Sequence, residues 1–176
     1  MSDVKKIVVI GPESTGKSTL SVALAEALGT VWVPEYAREY LETLGRPYTQ
    51  EDLREIARGQ LTLEDKLAAK ADKVLVCDTD LNVIKVWSHA RYNACDRLIT
   101  ESIAARKYDM YLLTNIDIPW QDDPLREHPS PEERLYFYNI YRDIVQNSNL
   151  PWVDMSGAHE ERLKKALEAI KQHILS

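Results

Sequence analysis

Hydrophobic residues fall into five short runs, separated by longer stretches in which apolar residues return every three or four positions. The runs occupy residues 5–10, 31–33, 73–77, 110–113 and 151–153. Apolar residues are largely consecutive in these runs rather than alternating with polar ones. The runs therefore predict strands that are buried on both faces.

The intervening stretches predict helices. They cover residues 19–28, 36–44, 49–70, 81–107 and 130–147, and a last helix carries Leu163, Leu167, Ile170 and Ile174. Segment 81–107 fits one helix or two pieces separated near Tyr92. Residues 49–52 and 130–133 have the capping-box pattern that starts a helix. Residues 119–129 are polar and interrupted by prolines, which predicts an exposed loop.

Strands that alternate with helices predict an α/β fold with a parallel sheet. We expect one domain over residues 1–176, with three layers, a five-stranded parallel sheet, helices on both faces and a lid loop at about residues 119–134. Ligands of such sheets bind at the carboxyl ends of the strands. Polar residues follow the first four predicted strands, which is the layout of an active site.

The first strand is followed by Gly11–Ser18, which fits the pattern G-x-x-x-x-G-K-[ST] between a buried strand and a helix. Backbone N–H groups of such a loop bind phosphate oxygens, and the helix N-terminus adds positive charge. Lys17 is expected to contact the β- and γ-phosphates of ATP, and the Ser18 hydroxyl to ligate Mg²⁺. The nucleotide-binding set is Gly11, Glu13, Ser14, Thr15, Gly16, Lys17, Ser18 and Thr19.

The second and third strands are followed by acidic residues. Asp78 ends a buried run, where an aspartate is expected to lie near Mg²⁺ or its waters. Asp80 fits either an acceptor contact or a helix cap. Glu35 could accept a proton from an attacking hydroxyl, and Arg38 could bind phosphate or sugar oxygens. The alternative for Arg38 is pairing with Glu39 or Glu42 on a solvated helix face.

The loop after the fourth strand contains Trp120, Asp122, Asp123 and Arg126, and Arg134 follows in the next helix. An exposed tryptophan suits stacking on a flat ring, or else docking on the body of the domain. Arginines on a closing loop suit stabilisation of charge on the γ-phosphate, with water excluded. Their alternative is a mixed-charge start of the next helix.

Composition narrows the function classes. The 176 residues are 44% hydrophobic and 28% charged, with a net charge of −6 and two cysteines. An acidic chain has no global attraction for nucleic acid or anionic membranes. Two cysteines do not make a disulfide framework, and the apolar runs are too short for a signal peptide or a membrane span. We expect a cytoplasmic protein that binds neither nucleic acid nor membrane, and its oligomeric state stays open.

The loop motif, the segments 35–39 and 78–80, and Trp120–Arg126 together resemble the ribosylnicotinamide kinase domain of bacterial NadR-type proteins, which are P-loop NTPases. The resemblance runs from Lys6 to the last helix. It implies a nucleoside-monophosphate-kinase-like fold and Mg²⁺-dependent transfer of the ATP γ-phosphoryl group to the 5′-hydroxyl of nicotinamide riboside. By this similarity Trp120 lies against the nicotinamide ring, and Arg126 and Arg134 belong to the lid. The residues implied around the acceptor are Glu35, Tyr36, Arg38, Asp80, Asp122 and Asp123.

The sequence departs from this family in two ways. Pro12 and Pro124 replace small residues, and the nucleotidyltransferase and DNA-binding domains of larger relatives are not expected here. Among rival classes, a GTPase is disfavoured because residues 114–117 lack the lysine of the guanine-reading motif. A mechanical ATPase is disfavoured because no Asp-Glu pair occurs at Asp78. A non-catalytic ATP-binding regulator and kinases of other nucleosides, of nucleotides or of thiamine-like acceptors remain open.

Overall fold

The computed structural model describes residues 3–176 and contains one five-stranded parallel sheet. Its strands are β1 (Lys5–Ile10), β2 (Trp32–Val33), β3 (Val74–Asp78), β4 (Met110–Thr114) and β5 (Trp152–Met155). The helices are α1 (Lys17–Leu28), α2 (Tyr36–Leu44), α3 (Gln50–Ala68), α4 (Leu81–Tyr92), α5 (Arg97–Ala105), α6 (Pro131–Asn147) and α7 (His159–His173). Among residues 3–176, no helix is long and apolar enough to cross a membrane.

The strand order is β2-β3-β1-β4-β5, so β1 lies in the middle of the sheet. Ile7 and Val9 point to the face that packs against α1 and α7, whereas Val8 and Ile10 point to the face covered by α4 and α6. All four side chains are fully buried. Burial on both faces explains why the strand shows no alternation, and the predicted three-layer α/β class is confirmed.

Helix starts and ends follow the local chemistry that predicts them. Thr49 and Ser130 each accept a hydrogen bond from the backbone three residues on, which completes the two capping boxes. Segment 81–107 forms two helices, because Asn93 ends α4 in a left-handed conformation and the Asp96 side chain caps α5. The strands β3, β4 and β5 extend beyond the carboxyl ends that the sequence predicts, and β3 ends at Asp78.

The parallel register brings the polar ends of the central strands together. Val9 pairs with Asp78, and Ile10 pairs with Leu113, so the loop after β1 begins beside Asp78 on one side and Thr114 on the other. A third hydrophobic cluster joins α2, α3, α4 and α5. This cluster fixes the start of α2 and one face of α4 beside the loop.

Candidate active site

The phosphate-binding loop fits tightly against the end of β4. A side-chain carbon on Gly11 would lie 2.2 Å from the Thr114 hydroxyl oxygen, so glycine is required there. The Thr15 and Thr114 hydroxyls are hydrogen-bonded at 2.7 Å. Gly16 precedes α1 with a φ of 80°, a left-handed conformation that glycine adopts readily. The loop is therefore held in shape by its neighbours, with its helix N-terminus open to ligand.

The carbonyl of Pro12 organises the interior of the loop. It accepts hydrogen bonds from the Lys17 ammonium and from the Thr15 hydroxyl, each at 2.7 Å. Pro12 itself has no backbone N–H, so the loop has one backbone donor fewer than it would with another residue at this position.

Asp78 and Ser18 form the part of the site that suits a divalent cation. The Ser18 hydroxyl donates to Asp78 Oδ2 at 2.6 Å. Asp78 Oδ1 is buried and has no hydrogen-bond partner among the described residues. Burial raises the pKa of this carboxyl, and the Ser18 hydrogen bond and the Lys17 charge act in the opposite direction. A buried carboxylate oxygen without a partner, beside a serine oxygen, fits the hard oxygen ligands that Mg²⁺ takes.

Glu35 occupies the position just before α2, where its side chain makes no capping hydrogen bond, and it is partly buried beside the loop. Burial, and then the negative charge of Asp78, raise the pKa of its carboxyl to about 7, while Lys17 acts in the opposite direction. A carboxyl with a pKa near neutrality is suited to proton transfer.

The loop opens into a cavity of about 180 Å³. Of the residues predicted to bind ligand, the wall contains Gly11, Glu13, Ser14, Thr15, Gly16, Lys17, Ser18, Thr19, Glu35, Arg38 and Arg126. A neighbouring cavity of about 310 Å³ shares Glu13, Leu41, Trp87 and Leu125 with the first. Tyr48, Ala90, Arg91, Glu127 and His128 complete its lining. The two cavities together can hold a polyphosphate at the loop and a flat ring further along.

Arg38 and the lid meet across the mouth of the first cavity. The Arg38 guanidinium is hydrogen-bonded to the Asp123 carboxylate, and it also pairs with Glu42 at 3.3 Å. The hydrogen bond from Arg38 is the main cause that lowers the pKa of Asp123. Arg38 thus fits both alternatives from the sequence, because it pairs with Glu42 along its own helix and also lines the ligand cavity.

The remaining lid residues contact one another. The Trp120 indole N–H donates to Asp122 at 2.8 Å, and the guanidinium groups of Arg126 and Arg134 lie about 6 Å from the Trp120 ring. Trp120 and Asp122 are not in the wall of either cavity. Arg134 is buried and donates to the carbonyls of Ser14 and Ile118, so in this conformation it holds backbone rather than facing the cavity.

Two predicted acceptor contacts lie elsewhere. The Tyr36 ring packs on Gly59 of α3, where a side-chain carbon would lie 2.1 Å from it. Asp80 caps α4 and accepts hydrogen bonds from Asn82 and from the Tyr111 hydroxyl, in a separate cavity lined by Arg106 and Tyr108. Thr79, with a φ of 73°, turns the chain between Asp78 and Asp80. Asp80 therefore follows the helix-cap interpretation.

Sequence reasoning missed two residues that shape the site. Trp87 of α4 lines both cavities, but in the sequence it is one apolar position of an ordinary helical pattern. Arg162 of α7 is fully buried and donates to the carbonyls of Thr15, Asn115 and Gly157. Its place in a helix rich in charged residues gave no sign of this contact.

Comparisons with known proteins identify a family and relatives of this chain. A family model described as an AAA domain matches residues 6–162. The chain is 26% identical to the trifunctional NAD biosynthesis/regulator protein NadR of Salmonella typhimurium and 25% identical to that of Escherichia coli. Each match covers 96% of this chain and 42% of the relative, so the chain spans less than half the length of these curated relatives.

Solved structures show the same fold. A NadR protein in complex with NR superposes with a TM-score of 0.79 at 21% identity, covering 99% of this chain and 50% of that one. Thymidylate kinase from Candida albicans superposes with a TM-score of 0.70 at 14% identity, covering 98% of this chain and 93% of that one. Because the family model matches most of its length, the chain belongs to the AAA domain family, with the kinase-like P-loop fold, and it is homologous to the NadR proteins.

Proposed function

We propose that this protein is an ATP-dependent kinase that phosphorylates the 5′-hydroxyl of nicotinamide riboside. The proposal rests on the pair of adjoining cavities. Glu35 lies beside the phosphate-binding loop in the first cavity, and the second, aromatic-lined cavity shares part of its wall with the first. A protein that only binds ATP needs the loop but needs neither the carboxylate nor the second cavity. Homology to NadR proteins supports the same reading.

In this mechanism the loop and Lys17 hold the ATP phosphates and offset charge that develops on the γ-phosphoryl group. Ser18 and Asp78 would hold Mg²⁺, which neutralises phosphate charge when it is bound. The acceptor oxygen forms a bond to the γ-phosphorus, and the bond from this phosphorus to the bridging oxygen of ADP breaks. Glu35 accepts the proton of the acceptor hydroxyl, for which its raised pKa is suited.

Glu35 is the favoured base for a geometric reason. Asp78 Oδ2 is already bonded to Ser18, and its free oxygen is best suited to the cation. Asp80 lies in a different cavity, with its carboxylate bonded to Asn82 and Tyr111. Only Glu35 of the three lines the cavity at the loop.

The second cavity suits a flat cationic ring. Trp87 offers an aromatic face, and a cation over such a face gains about 0.5–2 kcal/mol, whereas the Tyr48 ring already has the Arg91 guanidinium 4.0 Å from it. Glu13 and Glu127 add carboxylates to the lining, and the Glu127 carboxylate is paired with Arg91 at 3.7 Å. The nicotinamide ring would occupy this cavity, and Trp120 is a second candidate contact if the lid rearranges when the acceptor binds.

The test is a panel of acceptors, each incubated with ATP and Mg²⁺ and assayed by ADP release and by product mass. We expect the highest kcat/KM with nicotinamide riboside, above uridine, thymidine, thiamine and a nucleoside monophosphate. A wild-type protein that prefers one of the others would refute the acceptor assignment and keep the kinase assignment. A protein that binds ATP and phosphorylates none of them would refute the proposed activity and favour the alternative of a non-catalytic ATP-binding regulator.

Three tryptophan variants locate the ring. Trp87→Ala is expected to raise the KM for the acceptor about tenfold or more while the KM for ATP stays within about twofold, because one stacked face is worth about 1–3 kcal/mol. Trp120→Ala tests the family-based assignment in the same assay. Trp32→Ala is the matched control, since Trp32 is exposed on β2 and lies in the wall of neither cavity. An unchanged acceptor KM in Trp87→Ala would remove the ring from the second cavity.

A further inference from the structure

Glu13 places a carboxylate inside the phosphate-binding loop Gly11–Ser18. A negative charge next to a polyphosphate opposes nucleotide binding, because like charges repel strongly where solvent is limited. The Glu13 charge is therefore unfavourable for ATP binding by itself. The hydrogen bonds of the carboxylate indicate a different role, in contact with the lid.

The Glu13 carboxylate binds the backbone of the lid, residues 119–134. Its Oε2 atom accepts the N–H of Glu127 at 3.1 Å and the N–H of His128 at 3.3 Å. Hydrogen bonds to a charged acceptor are stronger than those between neutral groups. These two bonds join positions 114 and 115 residues apart in the chain, so they connect the phosphate loop to the second half of the lid.

The next loop residue, Ser14, binds both ends of the lid. The Ser14 hydroxyl accepts the N–H of Gln121 at 2.9 Å. The Ser14 carbonyl accepts from Arg134 at 3.1 Å, and the same Arg134 nitrogen donates to Ile118 at 2.8 Å. Two adjacent loop residues thus hold the lid on both sides of Asp123 and Arg126.

We propose that Glu13 is a positioning residue that latches the lid to the phosphate loop, and that it acts on the acceptor side of the reaction rather than on ATP. The lid carries Arg126, which lines the cavity, and Asp123, which holds Arg38 at the cavity mouth. Loss of the latch would leave these groups unplaced when the acceptor arrives, while Lys17 and the loop N–H groups still bind ATP. The effect on the acceptor rests on the proposed kinase activity, whereas the latch itself does not.

Amide hydrogen exchange tests the latch without any substrate. In Glu13→Ala, exchange at Glu127 and His128 is expected to be about tenfold faster or more than in wild type, because two hydrogen bonds to a charged group are lost. Residues 159–170 of α7 serve as the internal reference and should exchange at the wild-type rate. Glu13→Gln keeps an accepting oxygen without the charge, so exchange intermediate between wild type and Glu13→Ala is expected.

Kinetics test the consequence for the reaction. We expect Glu13→Ala to raise the acceptor KM about tenfold and to leave the ATP KM within about twofold of wild type or below it, with partial rescue in Glu13→Gln. Glu132→Ala is the matched control. Glu132 is exposed at the start of α6, and its side chain has no hydrogen bond or ion pair within the described chain.

The outcomes are distinguishable. Unchanged exchange at Glu127 and His128 in a folded Glu13→Ala protein would refute the latch. A rise in the ATP KM equal to that of the acceptor would assign Glu13 to nucleotide binding instead. If the wild-type protein phosphorylates no acceptor, the proposed function fails, and the exchange result still decides whether the latch exists.

Discussion

Replacing Glu35 with glutamine separates its charge from its shape. In the folded protein the pKa of this carboxyl is raised from 4.5 to about 7. Unfolded Glu35 releases its proton near 4.5, so folding takes up a proton between these two values. The free energy of unfolding contributed by this group is therefore fully present below pH 4.5 and is lost as the pH rises through 7.

The size of the effect follows from the shift. A pKa difference of one unit corresponds to about 1.4 kcal/mol, so the shift from 4.5 to about 7 corresponds to about 3 kcal/mol in total. Most of this falls between pH 5 and pH 8. Glutamine stays neutral throughout, so the unfolding free energy of Glu35→Gln minus that of wild type should increase by about this amount over that range.

The assay is urea unfolding followed by tryptophan fluorescence at both pH values, in the absence of nucleotide. Glu39→Gln on the same helix is the control, because Glu39 is exposed and lies in the wall of neither cavity beside the loop. A difference between Glu35→Gln and wild type that is the same at pH 5 and pH 8 would show that Glu35 is not held with a raised pKa. The charge of Asp78 is the second cause of the shift, so Asp78→Asn should reduce the pH dependence.

Three further substitutions test the phosphate-binding loop and the carboxylate beside it. Lys17→Ala is expected to abolish phosphoryl transfer, because transition-state charge loses its main point-charge partner, and turnover within a fewfold of wild type would contradict this. Asp78→Asn keeps the shape and removes the charge, so we expect the turnover number to fall at least a hundredfold while the circular dichroism spectrum is unchanged. Gly11→Ala places a carbon 2.2 Å from the Thr114 hydroxyl and should lower both ATP affinity and the unfolding midpoint, by a strain of about 1–3 kcal/mol. Unchanged ATP affinity in Gly11→Ala would mean that the loop accommodates the added carbon without losing its phosphate-binding shape.

Local chemistry made most of the fold predictable. The buried strands, the two capping boxes and the glycine-lysine loop are each specified by residues next to one another in the chain, so a single sequence contains the information. The start of α3 at Gln50 and of α6 at Pro131 came directly from such signals.

The orientation of single side chains was less predictable. Whether Asp78 or Asp80 faces the loop depends on the left-handed turn at Thr79, an uncommon conformation for a β-branched residue that sequence patterns do not show. Arg134 lies one turn into a well-predicted helix, yet its buried contact with Ser14 depends on where the lid docks. Trp87 has the pattern of a core residue, and only the packing of α4 beside the loop makes it part of a cavity wall.

The hydrogen bond between Lys17 and the Pro12 carbonyl bears on how quickly nucleotide can enter. A lysine held by a carboxylate would have to break an ion pair before it could reach a phosphate, and the incoming ligand would compete with a full negative charge. Here the ammonium rests on a neutral oxygen 2.7 Å away. Arrival of ATP exchanges that neutral acceptor for an anionic one, so the exchange is favourable from the first contact. The resting loop thus keeps its lysine in place without neutralising it.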